Sequence, residues 1–210
     1  MLKNLFSISA FGLAISLPTA FASPIANNTA SPVVLAGGFG MVGTQVADTG
    51  VLSFNSSKYV SGTLEQKVFQ EANGILDFYY LVHNNSSSID NIGRLTTNDF
   101  TGFTTDVSYL TTGGTAPTAA DRSAGGDTVG FDFKGANGNT LAPGSNSAWI
   151  EISTDATSFA FIGSSNVIDG GVASVTTYSP TAAPEPMSMS LLGAGLAGFG
   201  LLGLRRAAKK

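Results

Sequence analysis

A Ser–His–Asp triad in this chain would have to use His83, because it is the only histidine, and a cysteine nucleophile is excluded because the chain contains no cysteine. A Ser–His–Asp triad needs a histidine as its base. Hydroxyl and carboxylate groups follow His83 closely in the sequence, at Ser86, Ser87, Ser88 and Asp90. However, the glycine pattern of a nucleophile elbow does not surround these serines. We therefore interpret His83 as a structural residue and predict that the chain is not an enzyme.

Metal binding is restricted to hard cations by the same composition, since zinc sites need several cysteine or histidine ligands. Asp121, Asp127 and Asp132 lie in and after a glycine-rich stretch, and carboxylates from such loops bind calcium. Their spacing matches no calcium motif, so we interpret them as solvated loop residues and expect no metal or other cofactor. A carboxylate pair for glycoside hydrolysis stays open as an alternative, because the fold, and not local spacing, creates such a pair.

Aromatic side chains could bind sugar rings if the strands that carry them expose them. The candidates are Tyr79, Tyr109, Trp149 and Tyr178. The alternative, which we favour, is that most of these residues pack in the core or cover a sheet edge. The glycine-rich stretch 37–40 lacks the Lys-Ser/Thr pair of a phosphate-binding loop, and we interpret it as a flexible segment or a strand kink.

The elements that must position these residues are β-strands, because apolar and polar residues alternate along most of the chain after Ser23. The clearest strand runs from Ile75 to His83, where one face carries Leu76, Phe78, Tyr80 and Val82. Further strands are predicted at Thr49–Phe54, Val60–Phe69, Phe103–Leu110, around Phe131, around Ile150, at Ser158–Ile162 and at Val172–Tyr178. Short strands divided by turn residues predict an all-β fold, a single antiparallel β-sandwich of about eight strands and of jelly-roll or Ig-like type.

The body of the chain is acidic. The whole chain has a formal net charge of -4, but half of its 10 basic residues lie at the two ends. Between Ser23 and Pro186, five basic residues face all 14 acidic residues, which gives a formal charge of -9. Phosphate binding needs clustered lysine and arginine, so nucleic acid is not an expected partner.

The N-terminus has the order of a signal peptide. A positively charged start precedes an apolar run from Leu5 to Leu17. Small residues then occupy the −3 and −1 positions, Ala20 and Ala22, and predict cleavage before Ser23. The alternative is an N-terminal membrane anchor, which Pro18 and the small-residue cleavage site disfavour.

The C-terminus contains an uncharged segment of 18 residues, Met187–Leu204. As a helix it would be about 27 Å long, close to the thickness of the hydrocarbon core of a bilayer. Four basic residues follow directly: Arg205, Arg206, Lys209 and Lys210. Basic residues in this position hold the C-terminus on the cytoplasmic side. The segment therefore predicts a transmembrane helix that leaves the body outside the inner membrane.

The tripeptide Pro184-Glu185-Pro186 stands immediately before this segment. Each proline fixes its own φ and disfavours a helical conformation in the preceding residue, so an extended and accessible tripeptide is expected. The order of tripeptide, apolar span and basic end, over Pro184 to Lys210, resembles the PEP-CTERM sorting signal of Gram-negative bacteria. The resemblance implies recognition and processing by exosortase, and passengers of this family are associated with exopolysaccharide and biofilm matrix.

The predicted organisation has three parts. They are a signal peptide at 1–22, a β-sandwich passenger at 23–181 between the signal helix and the transmembrane helix, and a sorting tail at 182–210. We expect an exported protein that is transiently anchored in the inner membrane, processed by exosortase, and kept at the cell surface or in an exopolysaccharide matrix as a structural or adhesive protein. The alternatives are a carbohydrate-binding module delivered by the same route and, third, a polysaccharide hydrolase.

Overall fold

The computed structural model describes residues 23–27, 33–35, 37–38, 40–56, 60–134 and 140–182. Ser23, the first residue after the predicted signal cleavage site, is among the described residues. The predicted signal residues Ala20 and Ala22 lie outside the described residues. So do the Pro184–Pro186 tripeptide, the Met187–Leu204 span and the four basic residues after it.

The described part of the chain is all-β and contains no helix. Its strands are β1 (Ser23–Pro24), β2 (Val33–Val34), β3 (Thr44–Asn55), β4 (Ser61–Gln70), β5 (Leu76–Asn84), β6 (Arg94–Thr97), β7 (Thr105–Tyr109), β8 (Ala119–Arg122), β9 (Val129–Asp132), β10 (Ile150–Thr154), β11 (Ser158–Ile168) and β12 (Val172–Thr181). Every strand predicted from the sequence has a counterpart in this set.

The strands form two antiparallel sheets of six strands each. The first sheet has the order β1-β7-β10-β5-β4-β3, and the second has the order β12-β11-β6-β9-β8-β2. Strands that follow one another pair as neighbours in β3-β4-β5, β8-β9 and β11-β12. Elsewhere the chain moves between the sheets, as from β5 to β6, so many partners in a sheet are distant in sequence.

The predicted inner face of β5 is confirmed. Its four large residues are at most 1% exposed: Leu76, Phe78, Tyr80 and Val82. Leu95 of β6 and Phe131 of β9 belong to the same hydrophobic cluster, and the rings of Phe78 and Phe100 meet edge to face at 5.8 Å. The two sheets therefore share one core, which supplies the main stabilisation of the body because burial of apolar surface dominates folding.

Polar side chains also join the two sheets inside the core. Gln66 of β4 is buried, and its amide bonds both backbone groups of Tyr178 in β12, donating to the carbonyl at 2.7 Å and accepting from the N–H at 2.6 Å. The hydroxyls of Tyr80 and Thr97 lie 3.2 Å apart. These bonds satisfy groups that would otherwise be costly to bury.

The structure adds to the predicted strands in two ways. β3 begins at Thr44 rather than Thr49, and β11 continues past Ile162 to Ile168. A bulge in β11 exposes both Phe161 and Ile162. Because the alternation of apolar and polar residues is interrupted there, the sequence pattern does not reveal that the strand continues. β6 and β8 were not predicted, because their sequences RLTT and AADR are too short and polar to show a pattern. Both are strands through pairing with β9.

Candidate functional site

The outer face of the first sheet carries a buried group of acidic and phenolic side chains. Because Phe78 and Tyr80 point into the core, their neighbours Asp77 and Tyr79 point to the opposite face of β5. The register with β10 places Glu151 beside Tyr79 and Ser153 beside Asp77. We call Asp77, Tyr79 and Glu151 the carboxyl cluster.

The carboxyl cluster is almost inaccessible to solvent. Asp77 is 1% exposed, Tyr79 0% and Glu151 5%. The Tyr79 hydroxyl donates a hydrogen bond of 2.6 Å to Glu151 Oε1, and Asp77 bonds Ser153. Two carboxyl oxygens, Asp77 Oδ1 and Glu151 Oε2, have no hydrogen-bond partner among the described residues. A buried carboxylate oxygen without a partner is costly, so the environment favours the protonated form of each acid.

Burial dominates the protonation of these groups. It raises the pKa of Asp77 to about 6, with a further rise from the nearby Glu71 carboxylate. It raises the pKa of Glu151 to about 7, against the opposing effect of the Tyr79 hydrogen bond. Burial and the neighbouring Glu151 also raise the pKa of Tyr79. Near neutral pH the carboxyl cluster can therefore gain or lose protons, which is a property of general acids and of pH-sensitive contacts.

The segment that leads into β3 lies over the carboxyl cluster. Gly38 donates to the carbonyl of Tyr109 in β7, on one side of β5, whereas Gly43 lies against the backbone of Gln70 in β4, on the other side. Between them, the backbone of Val42 hydrogen-bonds the Tyr79 hydroxyl. We call residues 40–43 the strap. The cluster is thus a covered site, because the strap bonds the Tyr79 hydroxyl and the three residues are at most 5% exposed.

A second group of side chains lies on the same outer face. Lys67 Nζ lies 3.0 Å from Glu65 Oε1 and 3.9 Å from Asp48 Oδ2. It also lies 5.0 Å from the ring centroid of Trp149, within the range of a cation–π contact. Trp149 is half-buried, and the lysine beside its ring is paired with two carboxylates.

The four aromatic sugar-binding candidates differ in accessibility. Tyr79 is completely buried, so it presents no ring surface to a ligand in this structure. Tyr109 and Tyr178 are half-buried and pack against the core. Tyr178 is covered in part by Phe159 and Phe161, with ring centroids at 5.4 and 5.0 Å. Trp149 is the candidate that remains on the outer face of the first sheet.

His83 contacts an amide rather than the serines that follow it. Its Nδ1 lies 2.6 Å from Asn146 Oδ1. Ser88 instead donates from its hydroxyl to the Ser61 carbonyl at 2.9 Å, and the hydroxyl of Ser87 lies 3.5 Å from that of Ser61. These serines therefore attach the turn after β5 to the start of β4.

The three aspartates considered for calcium do not meet at one point. Asp121 Oδ1 and Asp132 Oδ1 both contact Arg94, at 2.5 and 2.7 Å, whereas Asp127 accepts from the backbone of Asp99 at 3.3 Å. In the described ranges, no three acidic or histidine side chains are arranged to hold a metal ion. Two of the aspartates, predicted as solvated loop residues, are instead partners of a half-buried arginine on neighbouring strands.

Arg94 reaches Asp121 across Gly130 of the intervening strand β9. A Cβ at Gly130 would collide with the Arg94 guanidinium and lie 2.5 Å from Asp121 Oδ1. The lack of a side chain at Gly130 therefore allows Arg94 of β6 to pair with Asp121 of β8 across β9.

Sequence reasoning missed the carboxyl cluster, because Tyr79 and Glu151 are 72 positions apart. A local signal exists in each strand, since an acidic residue interrupts an apolar run in both LDFYYL and WIEI. Such a residue on an otherwise buried strand indicates a polar partner from another strand, but it does not say which one.

The predicted sorting residues lie outside the described part, and so does the predicted transmembrane segment. Among the described residues there is no helix long and apolar enough to span a membrane. Comparison of the chain with protein-family models, with curated proteins and with solved structures finds no match.

Proposed function

We propose that this chain is an exported cell-surface or extracellular-matrix protein that exosortase sorts and processes. The observation that carries the proposal is the order of Pro184-Glu185-Pro186, the uncharged span Met187–Leu204 and the basic end at Arg205 to Lys210. Each part has an expected physical role that follows from its sequence: two prolines disfavour a helical tripeptide, 18 uncharged residues suffice to cross a bilayer as a helix, and the basic end resists translocation.

The passenger in this proposal is a β-sandwich that acts by display and adhesion, without catalytic turnover. The shared core of the two sheets supports the sandwich architecture. The carboxyl cluster is covered by the strap, and the formal charge of -9 between Ser23 and Pro186 suits a hydrated exopolysaccharide matrix better than nucleic acid. The partners proposed are therefore exosortase, the inner membrane during sorting, and exopolysaccharide afterwards.

Mass spectrometry of the mature protein tests the sorting step. In a Gram-negative host with exosortase, the N-terminus is expected at Ser23 and the C-terminus near Pro184–Pro186. In the same host without exosortase, the C-terminus is expected at Lys210. Glu185→Ala should also leave the C-terminus at Lys210, whereas Asp90→Ala, which removes an exposed carboxylate of the body, should be processed normally. A chain ending at Lys210 in both hosts would exclude the proposal.

A second candidate is a carbohydrate-binding module delivered by the same route. It is favoured by Trp149, a half-buried residue whose ring lies beside Lys67 on the outer face of the first sheet. Trp149→Ala should abolish retention on the host polysaccharide, while Phe161→Ala, at an exposed aromatic position of the second sheet, should not. Equal retention of both variants would remove this candidate.

A hydrolase is the third candidate, and it is favoured by the position of the buried Glu151 carboxyl beside Tyr79 and near Asp77, where burial raises its pKa. It requires the strap to open, because a general acid must reach the bond that it protonates. Polysaccharide hydrolysis that is lost in Glu151→Gln would favour it over display.

A further inference from the structure

The β11–β12 hairpin carries an exposed apolar patch at the bulge of β11. Phe161 is 48% exposed and Ile162 is 66% exposed. The ring centroids of Phe161 and Phe159 lie 5.0 and 5.4 Å from that of the half-buried Tyr178 in β12. We call Phe159, Phe161, Ile162 and Tyr178 the apolar patch. Single exposed apolar residues are ordinary on a protein surface, whereas a contiguous group marks a site of interaction.

The two strands that carry the apolar patch contain no charged side chain. β11 reads SFAFIGSSNVI and β12 reads VASVTTYSPT, although the body around them is strongly acidic. Asp169, the acidic residue nearest to these strands in the hairpin, lies in the turn that joins them. An uncharged surface can approach an apolar phase without the cost of desolvating a charge.

The apolar patch lies at the end of the hairpin from which the chain continues toward the sorting tail. Ser158, where β11 begins, is paired with Thr181, where β12 ends. Six residue steps separate Thr181 from Met187, the first residue of the proposed span, and they reach at most about 22 Å. A span in the bilayer therefore keeps this end of the hairpin close to the membrane, whereas the Asp169 turn is at the far end.

This tether makes a weak contact sufficient. Because the body and the span belong to one chain, contact between the body and the bilayer is an intramolecular step, and short linkers give effective concentrations in the millimolar range. Aromatic rings are favoured at the boundary between headgroups and acyl chains, where a tyrosine keeps its hydroxyl in water. A few exposed side chains can therefore hold the body against the lipid.

Acidic residues beside the patch determine which lipid surface fits. A depression at the point where the chain leaves β12 is lined by Asp99 and Asp127, together with Pro180, Thr181 and Ala182. Asp99 is exposed and Asp127 is half-buried. Anionic headgroups would be repelled by these carboxylates, so the fitting surface is zwitterionic.

Building on the sorting function proposed above, we propose that the apolar patch contacts the zwitterionic lipid surface of the bilayer that Met187–Leu204 spans. Phe161 and Ile162 enter the boundary between headgroups and acyl chains, to a depth of about 5–10 Å. The contact orients the body on the membrane. The Asp169 turn, about 30 Å farther along the hairpin, is directed away from the lipid.

Quenching of tryptophan fluorescence by brominated lipid tests this contact in the full chain, reconstituted into phosphatidylcholine vesicles. Trp149→Phe removes the only tryptophan, and Ile162→Trp then introduces one in the apolar patch. Val172→Trp is the matched control, because Val172 is 60% exposed and lies beside the Asp169 turn. When brominated phosphatidylcholine replaces the ordinary lipid, the emission of Ile162→Trp is expected to be lost and that of Val172→Trp to be retained. If Ile162→Trp does not fold, Phe161→Trp provides the same readout with one aromatic ring in place of another.

Flotation of the vesicles after an alkaline wash reports separately whether the span is inserted. A chain that stays in the vesicles while the patch tryptophan is quenched no more than the control overturns the lipid contact and leaves the sorting proposal standing. A chain that leaves the vesicles overturns both. Unquenched emission that shifts to shorter wavelength as the protein-to-lipid ratio rises assigns the patch to a second copy of the chain, and it also overturns the lipid contact.

Discussion

The acidic residues of the carboxyl cluster carry an unusual combination of burial and incomplete hydrogen bonding. Asp77 and Glu151 lie on neighbouring strands under the strap, and each has one oxygen without a partner among the described residues. In a low-dielectric environment this arrangement favours the neutral acids over the carboxylates. The cluster is therefore a place where the protonation state and the stability of the folded body are linked.

The first prediction concerns the pH dependence of this stability. Because the pKa values of Asp77 and Glu151 are raised from 3.8 to about 6 and from 4.5 to about 7, the folded chain binds more protons than the unfolded chain between these limits. Their stabilising contribution is fully present below the unfolded values and is lost as the pH rises through the folded values. The free energy of unfolding should fall from pH 5 to pH 8, by about 1 kcal/mol through Asp77 and about 2 kcal/mol through Glu151.

Urea unfolding across this pH range measures the effect, with the fluorescence of Trp149, the only tryptophan of the chain, as the signal. The double variant Asp77→Asn, Glu151→Gln should show a flatter pH dependence, while Asp90→Asn should keep the slope of the parent. A free energy of unfolding that rises between pH 5 and pH 8 in the parent would contradict the assignment.

At the scale of elements, hydrogen bonds from polar side chains attach the second sheet to the first, in addition to apolar packing. β12 is an edge strand of the second sheet, so it has a neighbouring strand on one side only. The side-chain amide of Gln66 in β4 hydrogen-bonds the N–H and the carbonyl of Tyr178 in β12, as a further strand would. An amide side chain can do this because it carries a donor and an acceptor on one planar group.

The second prediction is that Gln66→Leu destabilises the body by about 2–4 kcal/mol, since it removes a buried amide and leaves two backbone groups of the half-buried Tyr178 without that partner. Denaturant unfolding measures the loss, and faster hydrogen exchange of the Tyr178 amide locates it. Gln70→Leu is the matched control, because Gln70 is exposed at the end of the same strand and should change stability little. Similar losses in both variants would argue against the role of Gln66.

The third prediction concerns the crossing of Arg94 over β9. Gly130→Ala should cost about 1–3 kcal/mol, the usual effect of inserting a methyl group into a packed position, because the new Cβ meets the Arg94 guanidinium and Asp121. Gly125→Ala is the control, since no atom lies within 4 Å of the Cβ built there. Thermal unfolding that fails to separate the two variants would show that Arg94 can move aside without cost.

At the scale of the whole molecule, the single hydrophobic cluster ties both sheets into one unit. Residues of the first sheet, such as Phe78, and of the second, such as Phe131, are completely buried in it. Within the part of the chain that the structure describes, the buried apolar residues on the inner faces of both sheets belong to this one cluster. Both sheets are therefore expected to lose their structure together.

The fourth prediction follows from this shared core: the body should unfold in one cooperative transition. Trp149 fluorescence reports on the first sheet, and far-ultraviolet circular dichroism reports on all strands. The two signals should give the same midpoint and the same denaturant dependence. Two separate midpoints would show that the sheets unfold independently.

The sequence by itself determined the strand class and much of the strand placement, because alternation is a local property of a half-buried strand. It identified the inner face of β5 through Leu76, Phe78, Tyr80 and Val82, which the structure places in the core. It also provides the whole argument for export and sorting, since charge, length and proline placement in the two ends are readable without a fold.

Only the tertiary structure decided which strands are neighbours. The alternation of apolar and polar residues shows which face of a strand is buried, but it does not show which strand lies beside it. The chain also crosses between the sheets several times. Asp77 and Glu151 therefore come together although 73 residues separate them along the chain. The same reason explains why Arg94 could not be matched with Asp121 and Asp132, or Gln66 with Tyr178, from the sequence. The buried charges and their pKa values depend on these long-range pairings, because desolvation is a property of the assembled sheets and not of any one strand.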